Sequence, residues 1–411
     1  MKTNKKAQKY TDIGKDGEEF ISNLSKITFL KDWTFINPVN PKTNKEICDI
    51  LIAFDDSITI IQVKNTKPKY KNDFVAFRTQ DINKNLKQLD GAYRYFQDNN
   101  NKSLECVNLH GQTCCLQIKD FTSYRLISAF TSKEEYDGMD MFRISPKGSF
   151  VHCFDRAFSL ILFQELDTHC DLINYLDKRE SFLTQAMNKL IINGGEEELL
   201  ANYMFNDKTF LCDENKQKNI NLLVEAGNWE IFTKRPEYIA KKEADSISYL
   251  WDKLIEEAHR SLEPSYEIIV REMAKLNRFE RRCMAKAFMD AFNSFNYIEE
   301  DIFRRYCPLS KYKVTFVLCL FKSGVLGNSQ ESRSKLLQAT CINARVKIPE
   351  NKTVIGISCS TEKQTGYEFI LYESERITEQ AEELHNTLNK DDSQWVRRKN
   401  ITQSYEEEYP S

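Results

Sequence analysis

The chain has 411 residues, a formal net charge of −3 and 41% hydrophobic residues. This length predicts two or three domains, and no stretch approaches the run of about 18 apolar residues that a membrane span needs, which excludes an integral membrane protein. Glycine is scarce, at 13 residues, and neither a GxxxxGK(S/T) nor a GxGxxG motif is present, which argues against glycine-rich phosphate-loop enzymes.

The first ten residues are basic and no apolar stretch follows them, so no signal peptide is expected. The 12 cysteines form no CxxC pair, which together with the missing signal predicts a cytoplasmic protein with reduced thiols. Four of them lie in apolar or amphipathic stretches and are expected to be small buried side chains: Cys283, Cys319, Cys341 and Cys359. An alternative gathers six other residues into a zinc site, although their spacing fits no standard zinc pattern: Cys114, Cys115, His152, Cys153, His169 and Cys170.

The first hundred residues alternate between helix and strand patterns. The periodicity predicts a helix over 16–26, a short strand over 33–36, strands over 47–54 and 58–63, and an amphipathic helix over 79–97. The two longer strands are rich in β-branched residues and flank a short turn at Asp55–Ser57, so they form a predicted hairpin. Because both strands are apolar on both faces, they are typical of a buried central pair.

Further along the chain, we predict a strand over 124–131, a helix over 154–176 and a long helical region over 179–306. Strands over 313–321, 353–358 and 367–372, with a helix over 332–346, form a small α/β unit. The predicted fold is therefore α/β. Its domains are an N-terminal one with a central mixed sheet flanked by helices (1–180), a mostly helical one (181–310), a small C-terminal α/β one (311–390) and a frayed tail (391–411).

Polar side chains interrupt the apolar hairpin at one of its ends. Gln62 and Lys64 point the same way from the second strand, because side chains alternate faces along a strand. Asp49 lies near the start of the first strand, and the tight turn brings the end of the second strand back beside it. An acid, an amide and a lysine are thus expected to converge, and the alternative is a surface hairpin on which all three are solvated.

Metal-assisted phosphodiester hydrolysis gives such a group a chemical role. Magnesium prefers carboxylate and carbonyl oxygens, so Asp49 would be the principal ligand, with the Gln62 amide oxygen and the Val63 carbonyl as further ligands. Lys64 would position or deprotonate the attacking water and stabilise charge in the transition state.

This arrangement resembles the PD-(D/E)XK nuclease superfamily, in particular its Mrr-like restriction endonucleases with a D…QxK motif, matched here by Asp49, Gln62 and Lys64. The superfamily often carries a glutamate on a helix before the sheet, for which Glu18 is the better candidate and Glu19 the second. The resemblance covers about the first 100 residues. It implies a restriction-endonuclease-like fold, a Mg²⁺ or Mn²⁺ cofactor, catalytic and metal-binding roles for Glu18, and double-stranded DNA as substrate. Glutamine replaces an acidic ligand, so the site carries one negative charge fewer.

The loop after the hairpin is rich in lysine and contains interleaved aromatic residues. Residues 1–90 hold 16 Lys/Arg and 12 Asp/Glu, a net +4 in an acidic chain, which indicates a polyanion partner for this region. Lysine contacts to phosphates give affinity without sequence specificity. A purely solvated loop is the alternative. The residues expected to contact DNA are Lys67, Lys69, Lys71 and Arg78.

The predicted function is a metal-dependent DNA endonuclease. Its architecture is similar to effector subunits of bacterial antiviral or anti-plasmid defence complexes, and partner subunits that restrain or activate it are expected because a free nuclease would attack its own genome. The alternative is a catalytically inactive, nuclease-fold binding or assembly subunit. RNA ranks below DNA as substrate because no RNP1-type motif is present. A basic stretch on a predicted helix is expected to be a solvated face, or else a contact to DNA or a partner: Arg271, Arg278, Arg281 and Arg282.

Overall fold

The computed structural model describes residues 16–24, 31–64, 74–98, 100–131, 141–186, 190–210, 222–260, 265–297, 299–322, 329–360, 366–389 and 406–410. The chain divides into two units, Met1–Arg235 and Pro236–Ser411. No helix in these ranges is long and apolar enough to cross a membrane.

The first unit is built on a mixed six-stranded sheet. Its described strands, in chain order, are β1 (Thr34–Ile36), β2 (Val39–Asn40), β3 (Lys45–Glu46), β4 (Ile50–Phe54), β5 (Ser57–Lys64), β6 (Ser103–Val107), β7 (Thr113–Gln117), β8 (Ser123–Phe130), β9 (Phe142–Ile144), β10 (Phe150–Phe154), β11 (Leu190–Ile192) and β12 (Leu222–Val224). The sheet order is β1-β4-β5-β8-β10-β9, while β2-β3, β6-β7 and β11-β12 form two-stranded sheets. Strand β5 pairs antiparallel with β4 and parallel with β8, which confirms the predicted mixed sheet.

Helices flank this sheet, as predicted. They are α1 (16–24), α2 (Phe74–Gln97), α3 (Arg156–Glu165), α4 (His169–Ala186), α5 (Glu196–Phe205) and α6 (Asn228–Thr233). The apolar stripe of α2, which includes Ile82, Leu86 and Leu89, packs on Ile60 and Leu126 in one buried cluster. Side chains that alternate with these, such as Arg125, point to the opposite face, where the Arg125 guanidinium pairs with Asp177 of α4.

The predicted central hairpin is present, and Ser57, predicted in its turn, is the first residue of β5. Ile50 pairs with Ile61 and Phe54 with Ser57, and Asp55 in the turn has a φ of 54°. The region 154–176 is helical, as predicted, but its helix is interrupted, so that the chain there forms α3 and α4. The break has a local cause: the Thr168 hydroxyl accepts a hydrogen bond from the Asp171 backbone N–H (3.1 Å) and so starts a second helix.

The second unit combines helices with a four-stranded sheet. Its described elements are α7 (Pro236–Asp245), α8 (Tyr249–His259), α9 (Ser265–Ala274), α10 (Arg278–Phe295), β13 (Ile302–Leu309), β14 (Val314–Phe321), α11 (Gln330–Lys347), β15 (Thr353–Ser360), β16 (Tyr367–Glu373) and α12 (Glu379–Leu388). The sheet order is β13-β14-β15-β16, with β14 and β15 parallel and both edge strands antiparallel.

The second unit, Pro236–Ser411, contains both the helices α7 to α10 and the C-terminal sheet. Residues 302–306, predicted as helix, belong to β13, which pairs with β14 along its whole length. The helices pack on the same sheet: the ring of Trp251 lies 5.1 Å from that of Phe316, and the Tyr266 hydroxyl donates to the Phe369 carbonyl. The helical region and the C-terminal α/β region therefore share one core.

The basic stretch on α10 is not a solvated face. Arg278, Arg281 and Arg282 are 5%, 2% and 2% exposed. The first two donate to the Asp252 carboxylate and the third to Asp245. Buried guanidinium groups need such partners, which explains why the arginines face inward.

Candidate metal-binding site at the end of the central hairpin

The hairpin register brings Asp49 to the end of β5. Continuing the pairing of Ile50 with Ile61 by one residue sets Asp49 opposite Gln62. The Asp49 side chain is buried, at 6% exposed, and its Oδ2 accepts a hydrogen bond from the Val63 backbone N–H (2.5 Å). The expected meeting of Asp49 with the Gln62–Lys64 segment is thus present in the structure.

The electrostatics of Asp49 are unusual for a surface hairpin. The pKa of its carboxyl is raised from 3.8 to about 7, chiefly by burial and also by the neighbouring Glu46 carboxyl, while the Val63 N–H and the Lys64 ammonium lower it. A buried carboxyl beside a second acid is disfavoured in its ionised form. A bound cation would therefore favour the ionised Asp49 carboxylate.

Glu46 also belongs to this site, although the sequence pattern does not predict it. It lies in β3, three residues before Asp49, and its exposed carboxyl is within hydrogen-bonding reach of the Asp49 carboxyl. The hairpin of β2 and β3, with Val39 opposite Glu46, sets this approach. An acid three residues before another was visible in the sequence, but an irregular stretch between them gives no periodicity from which to predict the meeting.

Oxygen groups next to Asp49 fit a hard cation. Gln62 lies opposite Asp49 and is 2% exposed, so its amide group is buried beside the carboxyl. Asn85 of α2 is fully buried and donates through Nδ2 to the Ser128 hydroxyl (2.8 Å) and the Gln62 carbonyl (3.4 Å). Among the described residues, the Asn85 Oδ1 has no hydrogen-bond partner. A buried amide oxygen without a donor costs free energy, so this one favours a ligand that binds through oxygen atoms.

Lys64 ends β5 beside this group. Its side chain is half-buried and lies close enough to Asp49 to lower the pKa of that carboxyl. Its carbonyl accepts a hydrogen bond from the Thr131 N–H (2.9 Å), which fixes the end of β5 against the end of β8. The main chain that carries the lysine is held in the core sheet and is not part of a loop.

Glu18 lies near the site but is not joined to Asp49. It is half-buried on α1 and accepts a hydrogen bond from Asn37 Nδ2 (3.4 Å), while the Asn37 N–H donates to the Asp49 carbonyl (2.9 Å). The carboxylates of Glu18, Glu46 and Asp49 do not all lie within 4.8 Å of one another. Glu19 is exposed, so Glu18 remains the better placed of the two.

The predicted DNA-contacting residues are only partly described. Lys67, Lys69 and Lys71 lie outside the described residues. Arg78 is in the first turns of α2, which begins at Phe74, five residues before the predicted start, and only its main chain is described.

The zinc alternative is wrong. His152 and Cys153 are neighbours in β10 and so point to opposite faces of the sheet, and His152 Nδ1 lies 2.8 Å from the buried Arg179 guanidinium. Among the described residues, no three of the six candidates bring ligand atoms within 4.8 Å of one another.

Comparison with protein-family models, with curated proteins and with solved structures finds no match to this chain.

The raised pKa of Asp49 predicts that the site costs stability when it holds no cation. The folded state binds a proton between pH 4 and about 7 that the unfolded state releases, so stability falls as pH rises through that window. Asp49→Asn should therefore be more stable than wild type at pH 8 in EDTA, by on the order of 2–4 kcal/mol at about 1.4 kcal/mol per pKa unit. Urea unfolding of both proteins at pH 5 and pH 8 measures this difference in the free energy of unfolding. An equal loss of stability at both pH values would contradict the assignment.

Proposed function

We propose that the first unit is a metal-dependent DNA endonuclease of the PD-(D/E)XK type that hydrolyses phosphodiester bonds with Mg²⁺ or Mn²⁺. The observation that carries the proposal is the convergence of the buried Asp49 carboxyl with Gln62, Val63 and Lys64 at the end of a core hairpin.

The order of elements supports the same proposal. A helix with Glu18 precedes the sheet, the hairpin of β4 and β5 carries Asp49 and the QxK segment, and α2 connects β5 to the parallel strand β8. This is the order that the resemblance implies for the glutamate-bearing helix, the motif hairpin and the following core helix.

The metal ligands would be the Asp49 carboxylate, the Gln62 amide oxygen and the Val63 carbonyl, with Glu46 as a second carboxylate. Glutamine in place of an acidic ligand removes one negative charge, and Glu46, which is already close enough to raise the pKa of Asp49, supplies it. Glu18 is placed to accept hydrogen bonds from water around the metal rather than to share a ligand position with Asp49. A bound divalent ion polarises the scissile phosphate and acidifies a water.

The chain's own groups supply the remaining chemistry. Val63 N–H holds one oxygen of Asp49, which fixes the carboxylate in one orientation. The Lys64 ammonium, close to Asp49, is placed to orient the attacking water and to stabilise the negative charge that develops on the phosphate oxygens. Asn85 ties α2 to the Gln62 carbonyl and keeps this strand end rigid.

Cleavage of supercoiled plasmid by the full-length protein tests the proposal. We expect nicked and linear DNA with Mg²⁺ or Mn²⁺ and none with EDTA, while a structured RNA of similar length should stay intact under the same conditions. Cleavage of the RNA alone would overturn the choice of DNA. An effector subunit of a defence complex would cleave faster after its partner subunits are added.

Manganese binding separates the nuclease from an inactive assembly subunit. At pH 8, a saturating concentration of Mn²⁺ should raise the melting temperature, because a ligand bound only by the folded state adds about 2.7 kcal/mol at 100 times its Kd. At pH 6 the shift should shrink, since the Asp49 pKa of about 7 leaves the carboxyl largely protonated. Asp49→Asn should show no shift at either pH. No shift and no cleavage by folded wild-type protein would refute the nuclease.

A further inference from the structure

The second unit holds a cluster of three cations on α7 and α10. Lys241 of α7 and Arg282 of α10 are 5% and 2% exposed, and both pair with one carboxylate, that of Asp245 (2.5 and 3.1 Å). One helical turn further along α10, Lys286 adds a third positive charge, which Asp290 of the same helix influences. We call the surface of α7 and α10 that carries Lys241, Arg282 and Lys286 the groove; Lys241 and Arg282 share the single Asp245 carboxylate within it.

The chain's last described segment, residues 406–410, fills this groove. The Arg282 guanidinium donates to the main-chain carbonyls of Glu407 and Glu408. Lys286 forms an ion pair with the Glu406 carboxylate, and the Lys241 ammonium lies 3.9 Å from Glu408 Oε1. The expectation that residues 391–411 form a frayed tail therefore does not hold for this segment.

The mode of contact is that of a bound peptide. The segment forms no helix or strand, and residues 390–405, outside the described ranges, separate it from α12. The Arg282 guanidinium binds main-chain carbonyls of the segment and so sets its position. Lys286 and Lys241 lie beside the carboxylates of Glu406 and Glu408, which favours an acidic sequence. The ring of Tyr409 lies 5.8 Å from the Lys241 ammonium and adds a cation–π contact.

We propose that the groove between α7 and α10 is a binding site for an acidic peptide of the type Glu-Glu-Glu-Tyr, filled in the isolated protein by its own residues 406–409 and open to the same kind of segment on another chain. Removing the tail takes the Glu407 and Glu408 carbonyls from the Arg282 guanidinium and leaves Lys241 and Arg282 sharing one carboxylate, which costs free energy. An acidic segment from a partner would restore the balance. This inference goes beyond the proposed nuclease and does not depend on it.

A labelled peptide of residues 401–411 tests the site. The protein is the full chain with its own tail disabled by Glu406→Ala, Glu408→Ala and Tyr409→Ala. We expect this variant to bind the peptide at least tenfold more tightly than wild type, whose tethered tail competes at an effective concentration of about 1 mM. Fluorescence anisotropy measures both affinities. Equal binding by the two proteins, or no binding to the disabled variant, would overturn the proposal.

A charge exchange tests the assigned contacts. Lys286 is 46% exposed, so Lys286→Glu leaves the buried pairs intact. Added to the tail-disabled chain, it should weaken peptide binding at least tenfold, and a peptide carrying Glu406→Lys should recover most of that loss. A scrambled peptide of the same composition should bind at least tenfold more weakly than the native order. Equal affinity for the scrambled peptide would show that binding depends only on the peptide's negative charge, and would contradict a sequence-specific site.

Discussion

Replacing Lys64 with alanine is expected to lower the rate of plasmid cleavage by about a hundred- to a thousandfold while the protein stays folded, the size of effect that loss of one transition-state charge partner produces. Lys64 is the last residue of β5 and its side chain is half-buried beside Asp49. The ammonium group is therefore part of the site and does not pack in the core. Asp49→Asn should be at least as damaging, because it removes the charged ligand while keeping the hydrogen bond from Val63 N–H.

A control for both variants lies on the same hairpin. Asp55 occupies the exposed turn at the other end of β4 and β5, so Asp55→Asn changes charge equally and leaves the site untouched. It should cleave at the wild-type rate. Wild-type activity in a folded Lys64→Ala protein would show that the proposed roles are wrong, and an equal loss in Asp55→Asn would point to a general effect of charge on DNA binding.

The largest expected effect on stability comes from Arg179 of α4, on the opposite face of the sheet. Its fully buried guanidinium forms an ion pair with Glu196 of α5, donates to the Met141 carbonyl (2.7 Å) and lies 2.8 Å from His152 Nδ1. Arg179→Leu should destabilise the protein by about 3–5 kcal/mol, because it leaves the Glu196 carboxylate buried without its partner. Burial already raises the pKa of Glu196 to about 7, against the lowering effect of Arg179.

The double variant Arg179→Leu with Glu196→Leu distinguishes this explanation from loss of packing. Replacing both members of a buried ion pair with apolar side chains is often close to neutral, so most of the lost stability should return. Urea unfolding of the two variants provides the comparison. A double variant as unstable as the single one would mean that packing and the His152 and Met141 contacts dominate.

The sequence carried enough information for the hairpin and its polar end. Runs of β-branched residues on both sides of a short turn predicted β4, β5 and the return of β5 beside Asp49, and the 3- and 4-residue spacing predicted the core face of α2. These are local patterns, in which neighbours along the chain determine the structure.

Features that depend on distant partners were not predictable in this way. Strand β13 forms because β14 pairs with it, and Glu46 reaches Asp49 through an irregular turn. The arginines of α10 look like a solvated face in the sequence, since nothing local shows that Asp252 and the tail segment will cover them. Residues 406–410 likewise depend on cations more than a hundred positions earlier in the chain.

In the proposed nuclease, the carboxylates at the end of β5 hold the divalent ion used for cleavage. The most direct test of this role is a Mn²⁺ titration of the full-length protein with supercoiled plasmid, in which free Mn²⁺ is followed by electron paramagnetic resonance and DNA cleavage is followed in the same samples. We predict that the cleavage rate rises in proportion to bound Mn²⁺, and that Asp49→Asn loses both binding and cleavage. Cleavage in EDTA, or undiminished Mn²⁺ binding by folded Asp49→Asn protein, would show that Asp49 does not hold a catalytic metal ion.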